Sequence, residues 1–351
     1  MTADDAAAVA RRPPVVRRAD AEAARYRRLA VALGLLALAM TILSLFVGYA
    51  RLDVLQALAD SVHGVRSLPA LVLIELRLPR ALLGCFVGFS LGVTGAAMQG
   101  LLRNPLAEPG IIGVSGAAAL GAVVVFYSGL AGVFALALPL GGVAGAILAA
   151  VLLYGLVGRG AGTMTLILAG VAVTTFAGAL TSLVLNLSPN PYAAMEIVFW
   201  LMGSLVDRSL PQVWLVLPLM VAGWALVLSS AAALDGLTLG EETAQSLGFD
   251  LSRLRLQLIA GSALAVGSAV AVTGAIGFVG LVAPHVLRPF VDHRPGRLLL
   301  VSGFGGAILL LGADIVARLL PIYPELKLGV LTALIGAPFL FSLVYRLRQE
   351  A

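Results

Sequence analysis

The sequence predicts an all-α, polytopic membrane protein, and three observations carry that reading. Only 12% of the 351 residues are charged and the mean hydropathy is +1.03, whereas about a quarter of a soluble domain is charged. Apolar runs close to the length that spans a bilayer's hydrocarbon core recur along the chain. The apolar–polar alternation of barrel strands does not occur. Forty glycines suit helices packed in lipid, where small residues let backbones approach closely.

Taken in order, the runs place about ten membrane helices near 29–48, 79–102, 111–129, 133–157, 164–187, 211–231, 255–273, 277–291, 298–320 and 329–347. The eighth, "GFVGLVAPHVLRPFV", is short and interrupted by Pro284 and Pro289. Residues 1–28 are Arg-rich and polar and lack a small-residue cleavage site before the first span. They read as a disordered cytoplasmic tail, and residues 29–351 as one transmembrane domain. With the N-terminus cytoplasmic, 16 of the 23 basic residues fall on the cytoplasmic side, as the positive-inside rule requires. An even number of spans then puts both termini inside.

Function classes fall away by absence of their chemistry. The chain has one cysteine, Cys85, and its histidines, His63, His285 and His293, form no ligand-spaced cluster, so no metal site or cofactor is expected. There is no G-x-x-x-x-G-K-[ST] loop, G-x-S-x-G elbow or H-E-x-x-H helix. Uphill transport would need energy from another polypeptide. A net charge of +5 with basic ends is ordinary for a membrane protein, and the expected surroundings are lipid, with no nucleic acid. Ionisable groups within spans mark ion paths, and here Asp314 is the main one. It lies four residues before Arg318, a spacing at which the two pair along one helix face. A carrier working alone on a proton gradient would need more than this.

Three polar stretches remain. "LDGLTLGEETAQSLGFD" (Leu234–Asp250) sits between two very apolar runs. Thr238 and Glu241 have capping-box spacing and Gly248 supplies a stop, which predicts a short helix with Leu239, Thr243, Ala244 and Leu247 on one face. "RNPLAEPGIIG" (Arg103–Gly113) breaks the chain at a cytoplasmic end, as a stiff loop or as a constriction lining a pathway. "RLPR" (Arg77–Arg80) opens a span on the outer side. Its two arginines, three apart, point outward on one face, either to snorkel among headgroups or to meet an acidic partner. Finally, "VTGA" occurs at Val93–Ala96 and Val272–Ala275, in helices of opposite direction, as an inverted repeat would.

At these stretches the chain resembles the FecCD family, the permease subunits of type II ABC importers for iron chelates, haem and cobalamin. The resemblance runs through "RLPRALLGCFVGFSLGVTGAAMQGLLRNPLAEPGIIGVSGAAALGA", "FWLMGSL", "LTLGEETAQSLG", "GAIGFVGLVAPHVLRPFV", "GADIVARLL" and "GVLTALIGAPFLFSLV", covering roughly residues 29 to 348. It implies the ten-helix type II importer permease fold, in a homodimer or paired with a paralogue in the inner membrane. Two cytoplasmic ABC ATPases would drive it and an extracytoplasmic substrate-binding protein would deliver cargo. That cargo would be a ferric siderophore first, with haem or cobalamin as the alternative. The chain itself would be a transport subunit, not an enzyme. Carried over residue by residue, Arg77, Arg80 and Arg318 match arginines that dock the binding protein. Asn104 and Leu106 match one cytoplasmic gate, and Thr163 and Met164 the other, with Met164 standing where a smaller polar residue is expected. Leu239, Gly240, Glu241, Glu242, Ala244, Leu247 and Gly248 fall on the coupling helix that seats in the ATPase. The family's E-L-P after the ninth span reads "PELKLG" here, with Lys327 in place of the proline.

Overall fold

A computed structural model describes residues 14–48, 52–134, 136–158, 162–188, 190–322 and 324–350. Every expected span has a helix. They are α1 (Pro14–Phe46), α3 (Leu68–Leu101), α4 (Val114–Tyr127), α5 (Ala137–Val157), α6 (Thr163–Asn186), α8 (Leu210–Ser229), α11 (Leu251–Thr273), α12 (Val279–Val291), α13 (Pro295–Leu319) and α14 (Leu328–Glu350). Between them lie the short helices α2 (Val54–Val62), α7 (Pro191–Leu201), α9 (Ala231–Leu237) and α10 (Glu241–Ser246). Among the described residues, seven of the helices are long and apolar enough to cross a membrane, and four shorter ones are apolar. Caps set many of the starts. The side chains of Asp53, Asn190 and Asp250 accept first-turn amides of α2, α7 and α11, while Pro295 at the head of α13 gives up an amide that has no partner there.

Two expectations need correction. The tail expected to be disordered through residue 28 is helical from Pro14, and residues 1–13 lie outside the described residues. Good helix formers (Ala, Glu, Arg) follow a proline suited to a first turn. Glu22 then pairs with Arg294 at 3.8 Å and Arg297 at 3.7 Å, and the Arg297 guanidinium lies 5.8 Å from the Tyr26 ring centre. The start of α1 is thus fastened to the start of α13. The sequence reading also missed α7. Its 11 residues run about 16 Å, roughly half a hydrocarbon core, so no span-length window finds it.

The centre is α3, α11, α12 and α13, and α3 packs on α13 backbone to backbone. A Cβ on Gly92 would come 1.9 Å from the Ser302 carbonyl oxygen, and one on Gly306 would come 2.2 Å from that of Gly88. One turn along, Gly95 has the same relation to the Gly280 carbonyl of α12, at 1.9 Å. A second pair, α4 on α5, closes through Gly121 and Gly145, each 2.1 Å from a facing carbonyl by the same measure. Lipid tails are as apolar as leucine, so such contacts rely on close packing and not on expulsion of water. Around the centre, α1, α5, α6 and α8 turn leucine, valine and phenylalanine outward.

The bundle is interrupted where three helix ends meet. α11 stops at Thr273, and the chain turns through Gly274 (φ 73°) and Phe278 (φ 66°) before α12. The amide of Ser204, just beyond α7, donates to the Thr273 carbonyl at 2.7 Å. Leu328 and Gly329, opening α14, donate to the Gly203 and Met202 carbonyls at 2.9 and 3.1 Å. The two "VTGA" copies therefore differ: Val93–Ala96 lies within continuous α3, and Val272–Ala275 straddles the break. Four small residues do not impose one backbone path.

Gly92→Ala is expected to lower the thermal unfolding midpoint of the detergent-purified protein, at a cost of about 1–3 kcal/mol for overpacking. Gly155→Ala, whose Cβ would meet nothing within 4 Å, should leave the midpoint unchanged or raise it.

Candidate functional site

The site residues gather at the two ends of the bundle. At one end, Asp314 is fully buried between two arginines. Arg80 Nη2 lies 2.8 Å from Asp314 Oδ1 and Arg318 Nη2 lies 2.7 Å from Oδ2, the second being the expected pair four residues apart on α13. Arg80 also grips Glu325, its Nη1 donating to Oε2 at 3.2 Å and its Nη2 to Oε1. Arg318 donates further to the Ser44 and Val47 carbonyls at 2.8 and 2.7 Å and to Ser44 Oγ at 2.6 Å. Arg77 Nη1 reaches the Leu45 and Phe46 carbonyls at 2.8 and 3.3 Å. These are the last carbonyls of α1, which have no partner within the helix and carry its negative pole.

The arginines thus do not project outward as the "RLPR" spacing suggested. Arg77 is 6% and Arg318 5% exposed. A π turn over Val72–Arg77 inserts an extra residue where α3 enters the bundle, and long-range acceptors draw each guanidinium onto its own chain. All three still line one cleft of about 520 Å³, together with Asp207, Glu325 and Lys327.

At the opposite end, Leu234–Asp250 folds as two short helices and not one. Thr238 already has helical backbone angles (φ −62°, ψ −24°) at the end of α9, and its hydroxyl donates to the Asp235 carbonyl at 2.7 Å. It therefore cannot cap the next helix, and the expected capping box does not form. The chain turns instead at Gly240, whose φ of 104° suits glycine. The stop at Gly248 (φ 89°) is as expected. The Gly248 amide donates to the Gln245 carbonyl and that of Phe249 to Ala244, the Schellman pattern.

The expected shared face also divides. Ala244 is fully buried, while Leu239 and Leu247 are 64% and 59% exposed, beside exposed Glu242, Thr243, Gln245 and Ser246. Glu241 turns inward. Its carboxylate accepts from Thr163 Oγ1 at 3.2 Å and from Arg255 Nη2 at 3.2 Å. Asp235 Oδ1 accepts the Gly296 amide at 2.7 Å. The segment is clasped to the starts of α6, α11 and α13.

Thr163, read from the sequence as a gate residue, is thereby joined to the acidic helix, and its neighbour Met164 is exposed. Asn104 and Leu106 close their own turn, Leu106 donating its amide to Asn104 Oδ1 at 2.9 Å. The loop they begin dips back into the bundle. Pro109 and Glu108 reach a cavity of about 180 Å³ that Leu91, Ser115 and the Phe278 turn complete. Burial pushes the Glu108 carboxyl above its ordinary range, and the Phe278 backbone amide pulls the other way. Phe278 lays its ring against Gly336 of α14. Beside this break lies an apolar cleft of about 670 Å³, lined by Met202, Ala275, Gly329, Leu334 and Phe341 among others. Sequence reasoning gave no role to Glu325, Arg255 or Glu108. The only available signal was polarity next to a break.

The architecture and these motifs agree with what known proteins show. The model of the FecCD transport family matches residues 35–346. The chain belongs to that family. It is 39% identical over 284 residues to the cobalamin import permease BtuC of Halobacterium salinarum, covering 80% of this chain and 75% of that one. To the Fe(3+) dicitrate permease FecD of Escherichia coli it is 37% identical, covering 79% and 86%. To the hemin permease HmuU of Yersinia pestis it is 36% identical, covering 79% and 84%. A solved metal-chelate type ABC transporter in an inward-facing conformation superposes with TM-score 0.78 and 32% identity over 91% of this chain and 99% of that one. This FecCD-family chain is therefore the multi-pass membrane permease subunit of a type II ABC importer. ATP hydrolysis belongs to a separate ATPase subunit, and a substrate-binding protein is the other partner the family implies.

Asp314→Ala would strand the buried Arg318 guanidinium and leave Arg80 with Glu325 alone, and the expected loss is about 3–5 kcal/mol, read as a lower unfolding midpoint. Glu242→Ala removes an exposed side chain with no clasp and is expected to stay within about 0.5 kcal/mol.

Proposed function

We propose that this permease imports a metal chelate, with a ferric siderophore as the first cargo, and that it works as a homodimer in the inner membrane. Cobalamin is the second reading, favoured by the 39% identity to a cobalamin import permease; haem is the third. The observation that supports the transport reading best is the break at Gly274–Phe278. Three helix ends, a dipping loop and an apolar cleft meet there in mid-bundle, where a bulky shielded cargo could pass. The exposed Leu334 and Phe341 of α14 line that cleft and, with exposed Ile335, supply a face for the second copy.

In this reading the Glu241 end is cytoplasmic, along with both termini, in line with the arginine distribution. The short helix Glu241–Ser246 seats in the ATPase through Leu239 and Leu247, with Gly240 and Gly248 shaping it and Ala244 anchoring it from beneath. Glu242 faces the ATPase, and Glu241 passes its movement to Thr163 and α11. Asn104, Leu106, Thr163 and Met164 form the gate at that end. Arg77, Arg80 and Arg318 take up acidic side chains of the binding protein at the other.

The test is uptake into proteoliposomes holding the permease and the ATPase encoded with it. The binding protein is supplied outside, loaded in turn with ferric siderophore, cobalamin and haem. Accumulation of one cargo only with ATP at the ATPase face is expected. Accumulation without ATP or ATPase would replace this reading with a secondary transporter or channel. Glu241→Ala should cut ATP-driven uptake by up to about fivefold while ATP hydrolysis continues, because the half-exposed Glu241–Arg255 pair at that joint is worth about 0–1 kcal/mol. Hydrolysis and uptake unchanged together would remove Glu241 from coupling.

A further inference from the structure

The cleft at the Arg318 end has an unusual property for a docking site: its arginines are already answered from within. Arg80 uses all three nitrogens on internal carboxylates, Nε and Nη2 on Asp314, and Nη1 and Nη2 on Glu325. Arg318 is divided between Asp314 and the end of α1. A carboxylate arriving at Arg80 must displace something.

The two internal carboxylates differ in what their release would do. Asp314 is fully buried in α13 and shared by two arginines, so moving it would leave Arg318 buried without a counter-ion and Arg80 with Glu325 alone. Glu325 belongs to the irregular segment between α13 and α14, and its carboxylate pairs with Arg80 at the edge of the cleft. Swinging it out costs one ion pair and exposes its charge to water. Lys327, two residues on, lines the same cleft and offers the displaced carboxylate a second cation.

We infer that the cleft is a carboxylate-binding site held by the chain's own Glu325, and that the binding protein docks by exchange. An acidic side chain of the partner takes Glu325's place on Arg80, and Glu325 moves to Lys327. The inference rests on the docking reading above. It gives that site a threshold, because a partner presenting a weak or misplaced carboxylate cannot unseat Glu325. It also explains how buried arginines can serve as a docking surface: Glu325 keeps Arg80 paired while the partner is away. Four cations (Arg77, Arg80, Arg318 and Lys327) face three carboxylates (Asp207, Asp314 and Glu325) in and beneath the cleft. Neutralising Glu325 therefore doubles a net charge of one and strengthens the field that draws an acidic partner in.

The experiment measures binding of the substrate-binding protein encoded with this permease to the nanodisc-embedded permease–ATPase complex, as kon and Kd across a salt series. Glu325→Gln, which keeps the side chain's size, should bind about tenfold tighter, mainly through kon, with a steeper salt dependence. Glu325→Asp should fall between it and wild type, and Lys327→Gln should bind about threefold more weakly, having lost both field and acceptor. Arg80→Gln tests the reading beneath. If it binds as tightly as wild type, the cleft is not the docking site and both ideas fall. If Arg80→Gln binds more weakly but Glu325→Gln is unchanged or weaker too, docking stands and exchange is wrong.

Discussion

The backbone-to-backbone approach of α3 and α13 is the constraint on which the rest depends. With hydrogen where side chains would stand at Gly88, Gly92 and Gly306, the two helices touch along their middle turns. Contact that close fixes their register as well as their separation, since a shift of one residue would drive a side chain into a carbonyl. The register then decides the chemistry at both ends. It sets Arg80 across from Asp314 at one end and Gly100 against Pro295 and Leu234 at the other. A wider spacing would leave Asp314 short of one of its cations in a medium that tolerates no unpaired charge.

The two charged clusters that this register positions are built for different duties. Asp314 is wholly shielded, so its pairs with Arg80 and Arg318 cannot open without leaving a bare charge in low dielectric, a cost of about 3–5 kcal/mol when one partner is removed. Those contacts behave as fixed joints. The Glu241–Arg255 pair has one partner 42% exposed, where an ion pair is worth about 0–1 kcal/mol. A contact that weak can break and reform, yet with Thr163 and the Asp235–Gly296 bond it still defines one resting position. Strength follows burial, and burial here separates the joint that holds from the joint that moves.

Much of the fold was legible because lipid imposes a length rule: apolar runs near span length become helices, and each of the ten expected spans holds one, seven of them long enough to cross. The Asp314–Arg318 pair and the Gly248 stop were legible for the same kind of reason, each being a local geometry of three to five residues. What the sequence hid was non-local. Arg80 lies 234 residues from Asp314 and 245 from Glu325, and no periodicity announces such partners, so its direction was misjudged. Thr238 failed as a cap because the preceding helix had already claimed its backbone, a fact of the fold and not of the T-x-x-E spacing. α7 was missed because half a span gives half a signal.

The distribution of continuous and broken helices suggests how movement divides within the subunit. α13 is unbroken over 25 residues, roughly 37 Å. It carries the Gly296 amide held by Asp235 at one end and the Asp314–Arg318 pair at the other, and α3 runs beside it on shared glycine contacts. Together they make a stiff strut between the Glu241–Ser246 helix and the arginine cleft. α11, α7 and α14, by contrast, end against one another through a handful of backbone hydrogen bonds, next to Phe278 held at a positive φ that non-glycine residues rarely adopt. Gly203, Gly274 and Gly329 pack within 2.5 Å of facing carbonyls there by the same measure, but as single contacts and not along the length of two helices. A displacement delivered at the Glu241 clasp would therefore be carried whole by the strut and absorbed at the break, which is also where the dipping loop with Glu108 and the apolar cleft converge.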